Sequence, residues 1–139
     1  MSNTAHSSAE IMKLLFTTDA LAARPTSWFL AAHTGEPGID ASANEVGIAL
    51  DADYERQAVV FELSVDLGIT SAKNTADIVM PASAAAAPYT VQFVSIHTLV
   101  SGGIALAAMA LDPPRIVQPG GSLRFPINEL ILEGFCHGD

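Results

Sequence analysis

Apolar and polar positions along the chain fall into two regimes. Near the start, Ile11, Leu14 and Leu15 recur at spacings of three and four, which places them on one face of a helix. Ser7 or Ser8 is placed to cap that helix, Glu10 falls in its predicted first turn, and the pattern runs out near Phe16 or Thr17. A second short helical turn is read over residues 19–23. Pro25 ends it, because the residue before a proline is pushed out of the helical region.

From Ser27 onward the period shortens to two. Residues 28–33 form an apolar strand that stops at His33-Thr34-Gly35-Glu36-Pro37-Gly38, a turn broken by two glycines and a proline. After a long acidic loop, residues 56–65 read as one strand, with Val59, Phe61, Leu63 and Val65 alternating against Val60, Glu62, Ser64 and Asp66. Residues 66–75 read as a connection, 77–80 as a short strand stopped by Pro81, and 82–88 as a second connection. Strong strand formers return at 89–99. There Val91 and Phe93 share one face while Val94 and Ile96 share the other, a phase change that marks a bulge.

Gly102-Gly103 suits a hairpin, and residues 104–111 are apolar on both faces, the pattern of a central strand. Asp112-Pro113-Pro114 is expected to turn the chain into a short strand at 115–118, and Pro119-Gly120-Gly121 to turn it again. Leu123, Phe125 and Ile127 then alternate, with Pro126 placing them at an edge or a bulge, and Leu130 and Leu132 share a face at 129–133. About eight strands without regular helix–strand alternation predict an all-β fold. Its expected form is an antiparallel β-sandwich or jelly roll with a short N-terminal helix. The division expected is an arm and helix over residues 1–24 and a single sandwich domain over 25–139.

Composition narrows the function. The 139 residues suit one domain with one core, and 50% hydrophobic content argues against disorder. A formal net charge of −9, with six Lys+Arg spread singly along the chain, argues against a nucleic-acid surface, which needs clustered cations. The start of the chain is polar and lacks the pattern of a signal peptide, and residues 104–111 are too short an apolar run to cross a bilayer; a soluble protein made in the cytoplasm is expected. The lone Cys136, beside His137, cannot form an intramolecular disulfide and is read as an inert tail residue.

Candidate chemistry is sparse. His33 is read as a structural histidine that hydrogen-bonds its turn, since His6, His97 and His137 do not pair with it at metal-ligand spacing. Asp40, Glu45, Asp51, Asp53 and Glu55 offer oxygens but no calcium-loop spacing. Nucleophile-elbow and phosphate-loop motifs are missing, and the paired glycines read as turns. No catalytic residue, metal or cofactor is expected. Arg56 is singled out because its guanidinium can hold a carboxylate bidentately, either in its own acidic loop or across an interface. Trp28, Phe29 and Tyr54 read as core aromatics more readily than as a carbohydrate platform.

The chain also resembles a family of small tailed-phage virion proteins, described as tail-fibre, minor tail or head-decoration proteins. The resemblance rests on Trp28, Leu30, His33, Thr34, Pro37, Gly38, Asn44, Glu45, Val46, Tyr54, Arg56, Gln57, Ala58, Val59 and Phe61. It continues through Asn74, residues 78–81, Ser101-Gly102-Gly103, Val117, Gly120-Gly121 and residues 125–130. Ala32, where leucine is expected before the histidine, and residues 134–139 depart from it. The resemblance implies a non-enzymatic structural protein of the virion in which Trp28, His33, Thr34, Pro37, Gly38, Tyr54 and Arg56 form the fold's signature. The main expectation is a capsid cement or decoration protein that self-assembles as a homotrimer and binds the major capsid protein or tail proteins, without nucleic acid or membrane. Its docking residues are expected to be Ile11, Leu14, Leu15, Asp51, Asp53 and Arg56. A tail-fibre or minor tail protein for host attachment is the alternative, and would expose aromatics near Trp28 or residues 82–89. A cupin-like enzyme is a third reading, which requires two or three histidines and a carboxylate to converge on a metal.

Overall fold

In a computed structural model that describes residues 2–133, the chain is all-β with one N-terminal helix, arranged as an antiparallel sandwich. The expectations for Cys136 and His137 lie outside the described residues. The chain opens with β1 (Ser2–Asn3) and α1 (Ala5–Phe16). Thr4, rather than Ser7 or Ser8, caps α1: its Oγ1 accepts from the Ser7 N–H at 3.3 Å and donates to the Ala105 carbonyl at 2.6 Å. The earlier start moves Glu10 out of the first turn. Its carboxylate instead meets Lys13 Nζ at 2.9 Å and the Ala22 N–H at 2.7 Å, which ties residues 19–23 to α1 as an irregular segment and not the expected helical turn.

Nine further strands follow among the described residues: β2 (Phe29–His33), β3 (Gln57–Ala58), β4 (Phe61–Asp66), β5 (Ile69–Asn74), β6 (Ile78–Val79), β7 (Tyr89–His97), β8 (Ala105–Val117), β9 (Arg124–Phe125) and β10 (Ile131–Glu133). They form a five-stranded sheet in the order β1-β8-β7-β2-β3, a three-stranded sheet β10-β5-β4 and a two-stranded ladder β6-β9. The core lies between one face of the large sheet and the shorter elements. Leu30, Val94 and Ile96 from the sheet meet Ile78, Met80, Leu123, Phe125 and Leu130. Trp28, Tyr54 and Tyr89 pack against this cluster half-buried.

Several expectations change in the folded chain. The single strand read over 56–65 is two strands, because the chain leaves the large sheet at Val59 and joins the small one at Phe61; Val59 N–H bonds to Trp28 O, and Thr75 N–H to Val60 O. The supposed connection at 66–75 contains β5, paired with β4 from Phe61↔Asn74 to Asp66↔Ile69 across a two-residue turn at Leu67-Gly68. Residues 112–114 do not turn the chain: β8 runs through both prolines. They are tolerated because β7 and β8 are out of register there, Val91 pairing with Arg115 and Phe93 with Ala110, so those prolines owe no ladder donor. That irregularity is the bulge expected from the phase change at Val91 and Phe93. The central strand is β7, not β8, whose outer edge meets only the short β1.

Candidate functional site

Residues of the His33 turn and of the acidic loop converge at one end of the large sheet. Pairing of β2 with β7 sets His33 opposite Phe93 and Phe29 opposite His97, so His33, Ser95 and His97 share the face turned away from the core. All three are buried. His33 Nδ1 lies 2.8 Å from the Ala43 carbonyl, His33 Nε2 lies 2.7 Å from Ser95 Oγ, and Ser95 Oγ lies 2.7 Å from His97 Nε2. The two imidazoles stack with centroids 6.5 Å apart.

The protons in this chain follow from its partners. A carbonyl can only accept, so His33 carries its proton on Nδ1 and accepts at Nε2. Ser95 must then donate to His33, and His97 must donate from Nε2 to Ser95. His97 Nδ1 is left as a buried lone pair without a hydrogen-bond partner. Charging His33 would put a second donor against Ser95 and break this direction of donation, and charging His97 would place a buried N–H at Nδ1 without an acceptor; either buries a cation. Burial pushes the His97 pKa down to about 4, with the neighbouring Arg56 guanidinium adding to it, and burial likewise lowers His33.

Beside the imidazoles, Arg56 and Glu45 form a fork. Arg56 Nε meets Glu45 Oε2 at 2.8 Å and Nη2 meets Oε1 at 2.7 Å, while Nη1 donates to the Leu99 carbonyl at 3.0 Å and the Gly102 carbonyl at 2.7 Å. Tyr54 Oη donates to Glu45 Oε2 at 2.8 Å and accepts the Ala32 N–H at 3.1 Å. Burial alone would raise the Glu45 pKa, but the Arg56 and Tyr54 contacts outweigh it and hold the carboxyl below its usual range. Burial and the Glu45 charge raise the Tyr54 phenol. One guanidinium thus ties the acidic loop, the end of β3 and the hairpin between β7 and β8 together.

The other signature residues shape the turn that Glu45 terminates. Thr34 N–H bonds to Asn44 O, Ala43 N–H to Pro37 O and Ala41 N–H to Gly38 O, with Gly38 at φ +81° where an L side chain is strained. Val46 N–H returns to Ala32 O, closing the loop onto β2. A cleft of about 460 Å³ opens beside this end, between Glu45, Ile48, Tyr54, Arg56, Val100 and Gly102.

These contacts sort the sequence-derived candidates. Of the two placements open to Arg56, it occupies the one within its own chain. Asp51 is not a surface residue of the acidic loop: it is 2% exposed and accepts from the Ala84 N–H at 2.9 Å and from Tyr89 Oη at 2.8 Å, and burial, with the Asp51 contact adding to it, pushes the Tyr89 phenol up to about 12. Asp53 is exposed and donates its N–H to Asp51 Oδ1. Ile11 is half-buried, whereas Leu14 and Leu15 are exposed. Asp40, Glu45, Asp51, Asp53 and Glu55 are not drawn into one cluster, and no group of three metal-ligating side chains among the described residues could hold an ion.

Ser95 and His97 were not singled out by sequence reasoning. Their signal was the alternation of polar side chains on a strand otherwise apolar, but only the β2–β7 pairing shows that they meet His33. Two histidines do converge, yet Ser95 Oγ sits between their Nε2 atoms, and His33 Nδ1 is engaged by backbone. Trp28 and Tyr89 pack against the core and Phe29, half-buried, lies on the opposite face of the sheet with His97, leaving Phe16 on α1 as the most exposed aromatic among the described residues.

Among the described residues no helix is long and apolar enough to cross a membrane. No curated protein matched the chain significantly. A family model described as podophage GP4 fiber I protein gp80 matches residues 1–133, and with nearly its whole length covered the chain belongs to that family of phage virion structural proteins.

Proposed function

We propose that this protein is a structural module of a podophage tail fibre, that it assembles with itself as a homotrimer and with other tail proteins, and that the assembly takes part in attachment to the host surface. The observation that carries this reading is the match of a fibre-protein family over residues 1–133. The description names a fibre and not a shell component, so the expected role as capsid cement gives way to the attachment alternative.

The geometry fits a structural role. Apart from the buried His97 Nδ1, the polar groups gathered at His33 and Glu45 are spent on one another and on backbone groups, so they stiffen loops. Apolar side chains are instead abundant outside: α1 buries none of its residues, and exposed Leu14 and Leu15 beside half-buried Ile11 suit an interface between subunits. Asp53 remains available at the loop surface, and residues 1–24 act as a docking arm anchored through Thr4 and Ser7. Cryo-electron microscopy of the intact particle tests the assignment. Density for this chain in a few copies at the tail supports it; many copies spread over the capsid overturn it.

A further inference from the structure

Two apolar features of the chain lack an intramolecular partner. The first is a groove of about 530 Å³ along α1, lined by Ile11, Leu14, Leu21, Pro25 and Leu106 with Arg24 at its side. The second is the hairpin of β4 and β5, which projects Leu63, Val65 and Leu67 into solvent at 73%, 70% and 93% exposure. One is concave and the other convex. They do not meet within one molecule: among the strands and the helix, α1 lies against β1 and β8 alone, and β4 lies against β5 alone.

The turn residue makes the case specific. Leu67 has φ +49° and Gly68 φ +79°, the mirror-image turn in which Asn-Gly or Asp-Gly is normally found, because short polar side chains tolerate a positive φ and leucine does not. Leucine there is worse for the turn and worse for solvation. A strained, fully projected aliphatic side chain is what a contact outside the molecule would require.

Charge supports the same pairing. Four of the six cations form ion pairs within the chain: Lys13 with Glu10, Arg56 with Glu45, Arg115 with Glu129 and Arg124 with Asp77. Arg24, beside the groove, has no such partner among the described residues; on the hairpin Lys73 lies across from Glu62, which leaves Asp66, next to the tip, as the acid without a cation opposite it.

We propose that the groove along α1 receives the β4–β5 hairpin tip of a second copy of this chain, with Leu67 seated among Ile11, Leu14 and Leu106 and Asp66 facing Arg24. The contact is head-to-tail, so repeated around an axis it closes a ring. It rests on the reading that the protein assembles with itself, and assigns the surface by which it does so.

The test uses the full chain and measures mass in solution by light scattering and sedimentation over a range of concentrations. Leu67→Asn relieves the turn while removing the knob. It should raise the melting temperature of the monomer yet weaken association about tenfold or more, two effects of opposite sign that a merely structural leucine would not produce. Leu14→Gln should weaken association from the groove side. Mixing the two variants should restore a dimer, because one retains an intact groove and the other an intact tip. Arg24→Asp should weaken association, and adding Asp66→Arg should recover it. A wild-type oligomer unaffected by either leucine variant overturns the groove and tip assignment alone, as does a mixture that stays monomeric. A wild-type chain that stays monomeric at high concentration overturns the self-assembly reading as well.

Discussion

Arg56 grips Glu45 with two parallel contacts, Nε to Oε2 at 2.8 Å and Nη2 to Oε1 at 2.7 Å, and uses its remaining nitrogen on two carbonyls of the hairpin between β7 and β8. A lysine ammonium cannot reproduce that planar fork. Arg56→Lys should therefore lower stability by roughly 2–3 kcal/mol, and Glu45→Gln, which leaves a buried guanidinium poorly compensated, by a similar amount. Urea denaturation with a double-mutant cycle measures the coupling. Additive losses would show that Arg56 and Glu45 are not energetically coupled and would contradict this account of the fork.

His97 and His33 make stability depend on pH. Both are neutral in the fold, with pKa values below those of the unfolded chain. The unfolded state therefore binds protons first as pH falls, and their contribution is fully present above about pH 6.5 and declines from there towards about pH 4. For His97 alone, a drop of about two and a half units corresponds to roughly 3 kcal/mol. Melting temperature should fall between pH 6.5 and 4, and His97→Gln should flatten that part of the curve. An unchanged slope in the variant would assign the acid sensitivity to other groups.

Asn74 joins the small sheet to the final segment. Its side chain is buried and makes three bonds at 2.9 Å, donating to the Ala76 and Pro126 carbonyls and accepting from the Leu130 N–H. Asn74→Leu keeps the volume but strands all three backbone groups, so a loss of roughly 3 kcal/mol is expected. Asn74→Asp should also destabilise, since two carbonyls lose their donor. Hydrogen exchange at Leu130 offers a local readout: protection equal to wild type in Asn74→Leu would contradict the account.

Asp51 fastens the acidic loop to the connection before β7 through Ala84 N–H and Tyr89 Oη. Burial opposes its charge, but those donors prevail and its pKa lies below normal. Asp51→Ala should cost roughly 2 kcal/mol near neutrality, and Tyr89→Phe about 1 kcal/mol. Because the folded pKa is lowered, the Asp51 contribution is present above the unfolded carboxylate range and is lost as pH falls through the folded value. The difference in stability between wild type and Asp51→Ala should thus narrow below about pH 4.

Periodicity alone determined the all-β class, the N-terminal helix and the bulge at Val91–Phe93, because each depends on neighbours a few residues apart along one element. The turn from His33 to Gly38 was legible for the same reason. Sheet membership was not: the alternation from Val59 to Val65 is unbroken, yet the chain changes sheets within it, and Leu63 and Val65 face solvent instead of the core. The hairpin at Leu67-Gly68 was hidden because leucine occupies a position where asparagine or aspartate would announce the turn. The prolines of β8 were misread because only the register with β7 shows that they owe no hydrogen bond. The site divided along the same line. Arg56 was marked by its chemistry, but its partner, the convergence of His33 with Ser95 and His97, and the burial of Asp51 are decided by contacts between positions 11 to 62 residues apart. Tertiary pairing alone supplies those contacts.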